Sequence, residues 1–304
     1  MVPLRGDQLA VDSISKRDKR FFSFAIASIS VIVLMVAVDA TSISVAIPTI
    51  TTDLNGTAIE GFWSGTGFLL TATVFQPVFA SFSDIFGRKP ALFIAQMLFG
   101  VGAVLAAIAH DTMTLLLIGR AVQGVGGGGI MVLAEIIITD VVELRKRGNY
   151  FAGLAAIWAF GSVTGPLIGA TFAEKVSWRW IFWINLPFIG IGLPSTTYFL
   201  RLHQKPKRIG QKLRQIDWIG IALFLSSTTA FLIPVTWGGV NYPWNSWQTL
   251  VPLLLGALGL LVFVAWEKYR SPEHALLRLR VLASRTAAIN FLGDFIHGLV
   301  LWCR

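Results

Sequence analysis

The 304-residue chain is 55% hydrophobic and 13% charged, with a mean hydropathy of +0.69; soluble domains carry about 25% charged residues, so an ordinary soluble protein is excluded and an all-α polytopic membrane protein is indicated. The net charge of +9 does not argue for nucleic acid, because the basic residues are scattered between apolar runs rather than gathered on one soluble face. A single cysteine, Cys303, and 4 dispersed histidines exclude an intrachain disulfide and leave no metal-ligand spacing, and no cofactor is expected.

Residues 1–21 form a polar, basic arm. The apolar run that follows is longer than a signal-peptide core and lacks a small-residue cleavage site, so it stays as a first span. Segments of membrane-crossing length fall at 22–47, 62–82, 91–109, 113–138, 150–172, 180–200, 218–236 and 250–266, and a further one begins near Thr286. None alternates as a barrel strand does. The chain divides into the arm (1–21), a six-span bundle (22–200), a basic loop (201–216), two further spans (217–267), and a loop with the start of an incomplete second bundle (268–304).

Lys and Arg mark the orientation. They crowd the arm (Arg5, Lys16, Arg17, Lys19, Arg20), the second-to-third connection (Arg88, Lys89), the fourth-to-fifth (Arg145, Lys146, Arg147), the 201–216 loop and the 268–285 loop, whereas the intervening loops hold only Lys175 and Arg179. That bias places the arm and the even-to-odd loops in the cytoplasm. Asn55-Gly56-Thr57 is then a glycosylation sequon in an outward-facing loop.

Ionisable groups inside the spans are the first functional candidates, because a charge near the hydrocarbon centre costs at least about 2.5–3.5 kcal/mol. Asp39 lies in the first span about nine residues from Pro48, or about 13 Å along the helix axis, and Arg120 lies at a similar depth in the fourth. A carboxylate and a guanidinium at matched depth relieve each other's desolvation. A pair balanced between burial and charge pairing can take up and release a proton as water access changes, although a static structural pair or a snorkelling Arg120 would satisfy the same pattern. Gln123 and Trp158 are candidate cavity residues. Glu135, about 22 Å further in and about 60° round the helix from Arg120, suits the cytoplasmic side of a cavity or a latch.

Asp84, Gly87, Arg88 and Lys89 form the second-to-third turn, where Gly87 permits a tight path and Asp140, at the inner end of the Arg120 helix, is a candidate partner for Arg88. Gly124-Val125-Gly126-Gly127-Gly128-Gly129 formally matches a dinucleotide fingerprint, but the strand that should precede it is missing. Close helix approach explains those glycines better. Gly161, Gly165 and Gly169 make one smooth helix face, interrupted by Pro166. The tryptophans of the run Trp178 to Pro187 suit an interfacial aromatic belt at the outer end of the sixth span.

Taken together these segments resemble the major facilitator superfamily, and within it the fungal drug:proton antiporters with fourteen spans. Asp84, Gly87, Arg88 and Lys89 match the family's loop motif, with Ala80 and Ile85 at its departures. Arg120, Gln123, Gly124 and Gly126 match the fourth-span motif associated with proton transfer, and Gly161, Gly165, Pro166 and Gly169 match the fifth-span antiporter motif, with Ala170 for its last glycine. Asp39, Thr41, Ala46 and Pro48 match the first-span motif, with Ser44 for a common Asn. The Trp178 to Pro187 run, Asp217-Trp218 and the loop from Trp237 to Trp244 extend the likeness.

The resemblance implies a proton-coupled exporter of small organic compounds such as drugs or toxic metabolites, in the plasma membrane in preference to the vacuolar membrane. Asp39 and Arg120 would couple protons, and Asp84, Arg88 and Asp140 would form a cytoplasmic latch. Family members continue through a second six-span bundle, so the chain is expected to be C-terminally shortened. An uptake transporter of the same superfamily, or a shortened non-transporting membrane protein that binds a membrane partner, are the alternatives. An enzyme is not expected, since no nucleophile–base or metal constellation lies within a span.

Overall fold

A computed structural model describes residues 16–110, 112–200, 216–269, 276 and 284–302. These residues form ten helices: α1 (Lys16–Asp53), α2 (Ala58–Phe86), α3 (Arg88–Ala107), α4 (Met113–Val141), α5 (Leu144–Lys175), α6 (Trp180–Trp183), α7 (Asn185–Phe199), α8 (Trp218–Trp237), α9 (Trp247–Tyr269) and α10 (Arg285–Trp302). Seven of them, α1 to α5 with α8 and α9, are long and apolar enough to cross a bilayer. The chain divides into two compact units, Met1–Arg208 and Ile209–Arg304. Most of the basic 201–216 loop and of the 268–285 loop lies outside the described residues.

The first unit is a helix bundle in which α4 packs against α2 and α3 while α1 packs against α5 and α7. The glycine run of α4 makes its contacts possible. A Cβ on Gly126 would sit 2.3 Å from the Phe99 backbone of α3, and one on Gly128 would sit 2.1 Å from the Ala72 carbonyl of α2. Close helix approach is thus what these glycines do. On α5 the buried glycines Gly161, Gly165 and Gly169 meet Ala37, Thr41 and Ser42 of α1, while Phe160, Val163 and Leu167 on the other side of the helix are exposed. One face is shaped for a helix and the other is left exposed.

Three of the boundaries that differ from the sequence reading have a local cause. Pro48 does not end the first helix, which runs on to Asp53 because Pro removes only one backbone donor and the preceding turns close without it. The sixth apolar segment is two helices in series, α6 and α7, joined at Ile184; Pro187 supplies no N–H to the carbonyl one turn earlier, which falls at Trp183. The second helix begins before its apolar run, at a capping box. Thr57 Oγ1 accepts the Glu60 N–H at 3.2 Å, and Glu60 accepts the Thr57 N–H at 2.8 Å. Thr57 is the last residue of the Asn55 sequon, and Asn55 itself is exposed with a φ of 50°.

Two apolar clusters fill the bundle. One includes Ile32, Met35 and Val36 of α1, Ile130 and Leu133 of α4 and Ile189 of α7. The other holds Ile43, Ala46 and Ile50 of α1, Met113 and Leu116 of α4, and Ile181 and Phe182 of α6. Between the two clusters each of these helical paths places buried polar side chains: Asp39 on the first, Arg120 and Gln123 on the second, and Asn185 on the third.

In the second unit α8 and α9 run antiparallel. Asp217 caps α8 by accepting the Gly220 N–H at 2.9 Å and also accepts the Trp266 indole N–H of α9 at 3.0 Å. The turn between them bridges Gly238 to Tyr242, and Gly239 takes a φ of 77° there, in the left-handed region open to glycine.

Candidate proton site and latches

Asp39, Arg120, Gln123 and Asn185 occupy that polar level, each no more than 1% exposed. They come from three helical paths: α1 brings Asp39, α4 brings Arg120 and Gln123 one turn apart, and the start of α7 brings Asn185. Arg120 Nη1 donates to Asp39 Oδ2 at 2.6 Å and to Gln123 Oε1 at 2.8 Å, and Arg120 Nε donates to the Ser64 carbonyl of α2 at 3.0 Å. Gln123 Nε2 and Asn185 Nδ2 both donate to Asp39 Oδ1, at 2.8 and 2.7 Å. The carboxylate therefore receives three donors. Arg120 Nη2 has no hydrogen-bond partner among the described residues. Its guanidinium carbon lies 4.3 Å from the Phe68 ring centroid and 5.8 Å from that of Phe182, so the cation is faced by aromatic rings where hydrogen bonds are missing.

Backbone proximity fixes the donors. A Cβ on Gly102 of α3 would lie 2.3 Å from the Gln123 backbone nitrogen, so α3 supports α4 directly behind the network. A Cβ on Gly165 of α5 would lie 2.0 Å from Thr41 Oγ1, two residues from Asp39. Pro166 sits within α5, which remains one helix from Leu144 to Lys175.

The inner rim holds a second charge cluster. Arg88, at the start of α3, pairs with Asp84 at the end of α2, donates from Nε to Asp140 Oδ2 of α4 at 2.8 Å, and donates from Nη1 to Ser83 Oγ at 2.7 Å. Gly87 makes the turn possible with a φ of 104°. Lys89 is half-buried beside it. Between α4 and α5, Glu143 is exposed and pairs with Lys146 at 2.9 Å, a hydrogen bond that holds its carboxyl below the ordinary range. Glu135 is exposed on α4 and is not one of the groups bound to Arg88, while Trp158 is half-buried against the inner apolar cluster.

The outer rim carries a clasp that sequence reading missed. Asp53 Oδ2, at the end of α1, accepts the Trp178 indole N–H at 2.9 Å and the Arg179 Nη1 at 3.0 Å, and Arg179 Nη2 donates to the Ala109 carbonyl at 3.0 Å. Trp178 is only 2% exposed and belongs to the outer apolar cluster, which corrects its reading as a belt residue; Trp180 is 50% exposed and fits that reading. Buried in the cluster, the indole finds in Asp53 the partner that its one donor needs. Asn185 was also missed as a site residue. The available signal was a lone amide inside Trp183-Ile184-Asn185-Leu186-Pro187, where an apolar run should have none.

Comparison with known proteins adds the wider setting. The family model described as Major Facilitator Superfamily matches residues 29–296. The chain is 53% identical over 281 residues to "MFS transporter L2" of a Phoma species, covering 92% of this chain and 47% of that protein. It is 40% identical to "MFS-type efflux pump LUC4" of a Fusarium species, covering 94% of this chain and 50% of that one. It spans about half the length of these relatives. Among solved structures, the POT family transporter PepTSo aligns over 86% of this chain and 57% of its own with a TM-score of 0.56 at 15% identity. The human organic anion transporter MFSD10 aligns over 90% of this chain and 68% of its own with a TM-score of 0.51 at 16% identity. Both likenesses concern the fold alone.

Proposed function

Because the chain belongs to the major facilitator superfamily, we propose that it serves proton-coupled export of small, amphipathic organic compounds across the membrane that its spans cross. The observation that carries the proton coupling is the Asp39–Arg120 pair, 2.6 Å apart and sealed between two apolar clusters. Protonation of Asp39 would leave Arg120 without its counter-charge in a dry layer, a state that favours rearrangement toward water. Release of that proton would restore the pair. The pump names carried by relatives such as LUC4 and the efflux pump FUS6 of Gibberella fujikuroi support the outward direction.

In this reading the Arg88 cluster with Asp84 and Asp140 is the cytoplasmic latch, closing while the site is open outward. The α5 glycines Gly161, Gly165 and Gly169, with Pro166, let α5 move against α1 beside the proton site. Gln123 belongs to the proton network, and Glu135 and Trp158 are left as proposed contributors to a substrate cavity. Transport of a panel of fluorescent amphipathic compounds in membrane vesicles, with an imposed pH gradient of either sign, tests the proposal. Export coupled to inward proton flow is expected. Accumulation with the protons, or indifference to the gradient, would overturn it.

A further inference from the structure

Asn185 stands at the proton site, although no family motif named above places it there. Its side chain is 1% exposed and stands at the point where α6 hands over to α7, between Phe182 in one apolar cluster and Ile189 in the other. Its amide donates to Asp39 Oδ1 at 2.7 Å and to the Ile181 carbonyl at 3.4 Å. Asn185 also helps line a cavity of about 220 Å³ whose other walls include Leu34, Met35 and Val38 of α1, Phe160 of α5 and Phe188 of α7. On that side the lining is apolar apart from Thr164, whose hydroxyl donates to the Phe160 carbonyl at 2.9 Å, so the amide is the donor that reaches the carboxylate from there.

We infer that Asn185 is a positioning residue of the proton site: its N–H holds Asp39 Oδ1, so that Oδ2 stays aligned with Arg120. The inference rests on the reading of Asp39 as the proton-carrying group. Among the described residues, the other groups around Asp39 are accounted for. From α4 come the Arg120 cation and the neutral Gln123, while α2 gives the Ser64 carbonyl to Arg120. The glycine face of α5 lies against Ala37, Val38 and Thr41, and α6 presents Phe182. Arg120 is thus the one charged side chain that meets the carboxylate, and Asn185 is the donor supplied from outside α4.

This role differs from a packing role in what it controls. A carboxylate that accepts several hydrogen bonds releases its proton more readily than one with fewer. Loss of the Asn185 donor should therefore change the pH dependence of proton uptake with Arg120 and Gln123 in place, whereas loss of a packing contact would leave that dependence where it is.

The test is proton uptake by the purified, intact protein followed with a pH indicator, taking the difference between wild type and Asp39→Asn as the contribution of Asp39. In Asn185→Leu the pH profile of that contribution should be displaced, by about tenfold in the proton concentration at half-uptake. Asn185→Ala removes the same donor without added bulk and should move alike, which covers the case in which the leucine variant does not fold. Asn185→Gln, which retains an amide, should fall back toward wild type. An unmoved profile in the leucine and alanine variants would overturn the role of Asn185 and leave Asp39 as the proton group. No difference between wild type and Asp39→Asn would overturn the proton-site reading itself, and the inference with it.

Discussion

The carboxylate of Asp39 and the guanidinium of Arg120 lie 2.6 Å apart with neither side chain exposed, although 81 residues separate them in the chain. Removing one partner of such a pair leaves the other as an uncompensated buried charge. Arg120→Leu should therefore lower stability by about 3–5 kcal/mol, read by thermal melting in detergent. The double variant Asp39→Leu/Arg120→Leu should recover part of that loss. Recovery stays incomplete because Gln123 and Asn185 then lose their common acceptor, at about 1–3 kcal/mol for each unsatisfied group. A double variant no more stable than the single one would contradict the pairing.

The α1–α5 contact depends on glycine at a defined place. A Cβ on Gly169 would lie 2.1 Å from the Ser42 carbonyl oxygen, a backbone atom that cannot swing aside, whereas one on Gly153 meets nothing within 4 Å. Gly169→Ala should destabilise by about 1–3 kcal/mol through overpacking, and Gly153→Ala should stabilise by about 0.5–1 kcal/mol through helix propensity. Melting of the two variants side by side checks the contrast, and equal shifts would refute it.

Two nearby tryptophans should behave oppositely. Trp178 is buried and bonded to Asp53, so Trp178→Ala should cost about 3–5 kcal/mol and loosen the outer clasp. Trp180 is half exposed, and Trp180→Ala should change stability by no more than about 0.5 kcal/mol. If both cost the same, the outer end of the bundle is not held as described.

At the inner rim the charges are partly exposed, with Asp84 at 59% and Asp140 at 38%. Each pair is therefore worth about 0–1 kcal/mol. Arg88→Gln should leave melting nearly unchanged, yet it unties α2, α3 and α4 at once. Hydrogen exchange across residues 83–89 and the inner end of α4 should accelerate several-fold. Unchanged exchange would mean that the cluster holds nothing closed.

Much of this arrangement was legible in the sequence, and the reasons are physical. Insertion cost makes Asp39 and Arg120 conspicuous in apolar runs, and apolar length alone marks seven of the helices. Glycine spacing on α5 identified a smooth face, though not that α1 would fill it. What escaped were contacts between neutral or rim residues. Asn185 carries no charge to flag it, so its place opposite Asp39 follows only from how α7 packs on α1. Trp178 was misjudged because an aromatic belt and a buried anchor share the same composition, and only the position of Asp53 separates them. The continuation of α1 past Pro48 was hidden for a similar reason, since proline weakens a helix locally without ending it when the surrounding bundle holds the chain.

The central claim is that Asp39 carries the coupled proton, and one measurement addresses it directly: proton-driven efflux of a fluorescent amphipathic compound from energised vesicles containing wild type or Asp39→Asn. Asn keeps the size of the side chain and can still accept from Arg120, so the variant should reach the membrane at wild-type levels. The account predicts that its proton-driven efflux is abolished. Efflux at the wild-type rate with the same dependence on the pH gradient would contradict it.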